Sequence, residues 1–134
     1  MTLGKEDQER KRQSSDAGQA VVEFALVLPL LLILLLGILE FGHLYSQVAI
    51  LQGAAREGVR EAVLGGTPAQ VRDRVERAAT GLDKQKIQVI IDRDTAQRLI
   101  TVEVTYPAES LTGFFPLEGL YLRATAAMAY DRGP

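Results

Sequence analysis

Glu23 is the one charged side chain in the stretch Ala20–Leu39, which is otherwise Ala, Val, Leu, Ile, Phe, Pro and Gly. Five residues before it stands Gly18, followed by Gln19. A carboxylate in an apolar setting needs a cationic partner or a route to water. Hydrolysis of the Gly18–Gln19 peptide bond would create such a partner. The Gln19 nitrogen becomes a free α-amine, whose reference pKa of about 7.7–8.0 leaves it mostly cationic at neutral pH. Glu23 is then the fifth residue, one helical turn from that amine. Within one chain it neutralises its own terminus. Between helices stacked with an axial stagger it meets the neighbour's amine and fixes their register. If another protein cut the chain there, the chemistry at Gly18, Gln19 and Glu23 would be peptide hydrolysis followed by ion pairing. The plainer alternative makes Gly18 a flexible junction and lets Glu23 snorkel to a membrane surface.

His43 and Ser46 are the other candidates for chemistry, three residues apart on a predicted helix. No acid is arranged to orient the imidazole and no oxyanion site accompanies the hydroxyl, so an interfacial role is expected for His43. With no cysteine and a single histidine among 134 residues, thiol catalysis, disulfides, cysteine-ligated metals and multi-histidine metal sites are excluded. Gly65-Gly66 precedes a helix without the lysine of a nucleotide loop. A formal charge of −2, with acids and bases interspersed, argues against a nucleic-acid partner. The reading is of a non-enzyme, with no cofactor and no metal.

The element that positions Glu23 is a helix. Twenty residues at about 1.5 Å rise span roughly 30 Å, the thickness of a bilayer's hydrocarbon core. The run is too long for the apolar core of a secretory signal, and no small-x-small cleavage site follows it. Arg10, Lys11 and Arg12 precede it, and the next basic side chain after it other than His43 is Arg56. By the positive-inside rule the N-terminus is cytoplasmic and the chain beyond about residue 42 lies outside. Pro29 is expected to kink the helix, which membrane helices tolerate.

The apolar stripe continues through Leu44, Val48, Leu51, Ala55, Val59 and Ala62 until Gly65-Gly66 stops it. The predicted helix runs from about Gln19 to Leu64 and leaves the bilayer as a stalk. Gly42 and Ser46 are four residues apart, as are Ala54, Gly58 and Ala62. Such spacing lets a neighbouring helix approach closely, or lets the following domain do so. Thr67-Pro68 opens a second, amphipathic helix with Val71, Val75, Ala78 and Leu82 on one side. From Lys86 the period becomes two, predicting strands over 86–92, 98–107 and 120–131, with a hairpin loop at Asp92–Gln97. The fold class is α+β: a long transmembrane and stalk helix, then a small domain of one helix and a three-stranded antiparallel sheet. The expected division is a cytoplasmic leader 1–18, a transmembrane helix 19–40, an extracytoplasmic helix extension 41–64 and an α+β domain 65–134. In the 107–119 loop, Phe114-Phe115-Pro116 forms an apolar tip that either docks into the core or meets a partner.

"GQAVVEFALVLPLLLILLLGILEFG", followed by "LQGAAREGVREAV", resembles the TadE-like family of the tight-adherence (Tad/Flp) system. Gly18, Glu23, Phe24, Pro29, Gly37 and Ala54–Arg60 carry the resemblance. It implies a pilin-like minor pilin or pseudopilin of a type IV pilus system, cut after Gly18 by a prepilin peptidase and paired through Glu23. Phe24 stands where major Flp pilins usually carry tyrosine, which favours the TadE-like role. Implied partners are other pilin subunits, the peptidase, the Tad inner-membrane assembly machinery and the lipid bilayer. The implied location is single-pass in a bacterial inner membrane, with the cell surface as a destination after assembly. The helix-packing set expected on this reading is Phe24, Pro29, Gly37, Gly42, Ser46, Ala54, Gly58 and Ala62. The competing reading is an uncleaved single-pass anchor whose outer domain binds an assembly partner.

Overall fold

A computed structural model describes residues 3–131. Its elements are helix α1 (Leu3–Val63), helix α2 (Pro68–Ala78), a short 3-10 turn (Lys84–Lys86) and strands β1 (Gln88–Asp94), β2 (Leu99–Pro107) and β3 (Tyr121–Ala129). The class is α+β, as expected. The chain divides into two compact units, Met1–Leu39 and Glu40–Pro134.

The first unit is helical throughout its described residues. The helix starts at Leu3, well ahead of the expected Gln19. Glu, Lys, Arg and Gln dominate residues 5–13, and all four favour helix. Glu6–Arg10 and Asp7–Lys11 have the four-residue spacing that supports one. The apolar run continues the helix through Pro29 without interruption.

The second unit begins with the rest of α1, and this part is no free stalk. Leu51, Ala54, Ala55, Val59 and Ala62 belong to a buried core with Val71, Val75 and Ala79, with Ile87, and with Ile100, Val102, Val104, Tyr106 and Ala124 from the sheet. Gly58 marks the closest approach. A Cβ there would stand 2.5 Å from Val75 Cγ2 and 3.2 Å from Val102 Cγ1, so α1 runs between α2 and β2 with only a hydrogen's width to spare. Gly65 ends the helix at φ +92°. Its amide donates to the Ala62 carbonyl, and the Gly66 amide donates to the Glu61 carbonyl. This Schellman pattern satisfies two carbonyls that the helix end would otherwise orphan.

Thr67 caps α2 in a reciprocal box with Gln70, whose side chain accepts from the Thr67 amide at 2.8 Å. Val71 and Val75 are buried as predicted, but the helix ends at Ala78, short of Leu82, and Ala79 completes its inner face. Asp73 pairs with Arg77, and Arg74 reaches across to Glu57 of α1 at 2.8 Å.

The sheet order is β1-β2-β3, antiparallel throughout. Val89, Val104 and Ala124 align across it, as do Ile91, Val102 and Ala126, all on the core face. The predicted inner row of β3 is longer than the observed one: Leu120, just before the strand, and Met128, next to its last residue, are exposed. Asp94 organises the β1–β2 hairpin, its carboxylate accepting from the amides of Ala96 and Gln97. Arg98 closes the turn at φ +54°.

Candidate functional site

Gly18 lies within α1, and a Cβ placed on it meets nothing within 4 Å. Gln19 and Glu23 are brought together, one turn apart, by the helix itself. In the intact chain the Gln19 nitrogen is an ordinary helical amide. Its side chain meets the carboxylate instead, Nε2 donating to Glu23 Oε1 at 3.1 Å. No ion pair reaches Glu23 among the described residues. The geometry thus holds an anion at the expected place with a neutral partner, one turn from the atom that cleavage would charge.

Around it the helix presents bare hydrocarbon. Val21, Val22, Phe24, Leu26, every residue from Leu30 to Leu35, Ile38 and Leu39 are exposed. A soluble helix keeps its apolar residues on one covered face; this one is apolar all round and covered by nothing of its own. It is long and apolar enough to cross a membrane.

The expected helix-packing residues divide into two groups. Phe24, Pro29, Gly42 and Ser46 are exposed, and a Cβ added at Gly37 would meet nothing within 4 Å. Ala54, Gly58 and Ala62 are buried in the chain's own second unit, so of the two readings open for their spacing the structure takes the intrachain one. His43 and Ser46 share no hydrogen bond among the described residues.

The second unit contains a polar arrangement that the sequence reading missed. The long β2–β3 connection is fastened to α1 by two buried side chains, Glu40, 4% exposed, and Gln47, 2% exposed. They are seven positions apart, about two helical turns, so they share a face. The Glu40 carboxylate accepts from the amides of Leu111 at 3.1 Å and Thr112 at 3.2 Å, and from the Thr112 hydroxyl at 3.0 Å. Gln47 pairs with the Glu109 backbone in both directions. Its Nε2 donates to the carbonyl at 2.9 Å and its Oε1 accepts from the amide at 3.3 Å. Among the described residues no buried side-chain nitrogen or oxygen lacks a partner.

Beside this fastening, Lys86 Nζ donates to Glu109 Oε1 at 2.6 Å. The hydrogen bond from Lys86 holds the Glu109 carboxyl below its ordinary range, and the same bond raises the Lys86 ammonium. Burial pushes the Tyr106 phenol up, while its oxygen accepts from the Asp83 amide at 3.2 Å. A sequence signal for Glu40 existed: it is the first charge after the apolar run, four residues before Leu44 and seven before Gln47 on one helical face. Its partners lie some seventy positions away and carry no local signature.

A family model described as TadE-like protein matches residues 18–60, beginning at Gly18 and taking in Glu23, Glu40 and Gln47. The match covers about a third of the 134-residue chain and agrees with the resemblance read from Gly18, Glu23 and Ala54–Arg60. No curated protein and no solved structure matches the chain.

Proposed function

We propose that this chain is a minor pilin or pseudopilin of a tight-adherence pilus system, a structural protein without enzymatic activity. It is inserted once in the bacterial inner membrane, N-terminus inside, and a prepilin peptidase cuts it after Gly18. The apolar helix then passes from lipid into contact with other pilin subunits, driven by the Tad assembly machinery. Glu23 and the new amine of Gln19 set the register between neighbours, with Phe24, Pro29, Gly37, Gly42 and Ser46 on the packing surface.

The observation that carries this reading is the lone Glu23 carboxylate, one turn from Gln19 on an otherwise bare apolar helix, inside the segment that matches the TadE-like model. A neutral amide is a weak partner for an anion in lipid; an ammonium is a strong one. Gly18→Ala is expected to leave the precursor uncut. Glu23→Ala is expected to permit cutting and to abolish incorporation into sheared pili, and normal incorporation of Glu23→Ala would defeat the register role.

One observation favours the second reading, an uncleaved anchor whose outer domain binds an assembly partner. Gly18 lies inside a continuous helix, whereas proteolysis concentrates at exposed, irregular segments. Fractionation separates the two: an anchor is recovered only with membranes, a pilin also with sheared surface material.

A further inference from the structure

We infer that the β2–β3 loop is a second membrane contact, its tip at Leu111–Phe115 seated in the outer interfacial layer of the bilayer. The inference rests on the membrane-spanning reading above, and the occupant it commits to is lipid.

The tip is apolar and bare. Leu111 and Phe114 are exposed, Phe114 by 64%, while Phe115 is half-buried and holds the Phe114 ring edge-on at a centroid distance of 5.7 Å. Of the two fates open for this tip, docking into the core is therefore taken by Phe115 at most. In the interfacial layer an unpaired amide is costly, and most of the tip's N–H groups are already paired. Four successive N–H groups have acceptors within the protein. Leu111 and Thr112 donate to Glu40, Gly113 to Ser110 Oγ at 2.9 Å, and Phe114 to Thr112 Oγ1 at 3.2 Å.

The position of the tip follows from covalent continuity. Glu40 directly succeeds Leu39, the last residue of the apolar run, so the loop is fastened at the level where the run ends. Phe41 and Tyr45, on the first turns of the second unit, are also exposed. Aromatic side chains at this level are the type that lines membrane–water interfaces. Charge does not drive the contact. Glu109 is paired with Lys86, Glu40 is enclosed by its donors, and Glu118 is the remaining acid of the loop. With no cation on the loop, insertion is expected to need no anionic lipid.

The test uses the full chain reconstituted in phosphatidylcholine vesicles. The sequence has no tryptophan, so Phe114→Trp introduces the sole indole, with Leu111→Trp as a second probe. Interfacial segments sit about 5–10 Å into the headgroup–acyl boundary, so lipid brominated near the headgroup is expected to quench both probes. Acrylamide is expected to reach them several-fold less well than it reaches Thr95→Trp in the β1–β2 hairpin. Adding phosphatidylglycerol is expected to change neither result. Probes as open to acrylamide as Thr95→Trp overturn the inference. So do probes shielded from acrylamide yet unquenched by bromolipid, which means that protein, such as a second copy, covers the tip. Quenching that requires phosphatidylglycerol contradicts it as well. Leu30→Trp separates the underlying reading: quenched by deeply brominated lipid while Phe114→Trp is not, it leaves the span standing and removes the loop contact alone. If Leu30→Trp is unquenched too, both fall.

Discussion

Leu34 and Leu51 are the same residue on the same helix and live in opposite surroundings. Leu34, 60% exposed, belongs to a run with no cover from its own chain; Leu51, 0% exposed, is enclosed by α2 and the sheet. The difference is one of pattern rather than hydrophobicity. Between Ala20 and Leu39 apolar residues occupy every face of the helix, so no single layer of protein of this size could cover them. Between Leu44 and Ala62 they fall three and four apart, and one α+β layer suffices. Helix α1 thus carries two kinds of surface, one completed by folding and one that waits for lipid or for neighbouring helices.

The sharpest way to break that contrast is to truncate both leucines. Leu51→Ala is expected to cost the second unit about 2–5 kcal/mol, the range for emptying a packed core site. Leu34→Ala is expected to shift it by no more than about 0.5 kcal/mol, as exposed positions do. Denaturant unfolding in micelles, followed by amide exchange at Val102 and Val104, measures both. Equal effects would mean that the two stretches are not distinct environments.

Two glycines on α1 refine it further. At Gly58 an added methyl meets the stiff Val75 side chain, so Gly58→Ala is expected to destabilise by about 1–3 kcal/mol through overpacking, less a helix-propensity gain of roughly 1 kcal/mol. At Gly53 nothing stands within 4 Å. Gly53→Ala is expected to stabilise by up to about 1 kcal/mol from propensity alone. Opposite signs in thermal melts support the intrachain burial of the Ala54–Gly58–Ala62 row; like signs refute it.

Smaller effects are expected where the loop is fastened. Glu40→Ala removes the acceptor for Leu111 and Thr112, whose amides are then expected to exchange faster while those of β2 stay protected. Unchanged exchange would show that Glu40 does not hold the loop.

The weakest expected effect is that of pH on the Lys86–Glu109 pair. The folded carboxyl of Glu109 titrates below its ordinary 4.5, so its contribution is complete above that value and fades as pH falls through the depressed one. The folded ammonium of Lys86 titrates above 10.5, so its contribution is complete below that value and fades as pH rises through the raised one. Stability is expected to be level between these limits as far as this pair is concerned. Solvent screening keeps both edges shallow, because the two side chains are about half exposed. Carboxyl NMR shifts of Glu109 in the wild type and in Lys86→Met measure the depression.

What was legible in the sequence was whatever repeats locally. The period of two in Val89 and Ile91, and in Ile100, Val102 and Val104, gave the core face of β1 and β2. Thr67-Pro68 and Gly65-Gly66 marked their boundaries because caps are chemical events within four residues. The row Ala54, Gly58, Ala62 was legible as a close approach but not as to what approaches, since small residues admit a domain or a neighbour alike. The fastening of the loop was not legible. Nothing near Glu40 in the sequence marks its partner, and only the folded chain brings Thr112 to it across 72 positions. Nor did the helical reach of the leader emerge, because Gly18 reads as a break when its neighbours' preference for helix is set aside.

The central claim is that Glu23 gains its cation when the residues up to Gly18 are removed. Mass spectrometry of the protein isolated from its native membrane tests it directly. A mature chain beginning at Gln19 is the predicted result. A functional chain still carrying the residues before Gln19 would contradict the account and leave Glu23 with the Gln19 amide as its partner.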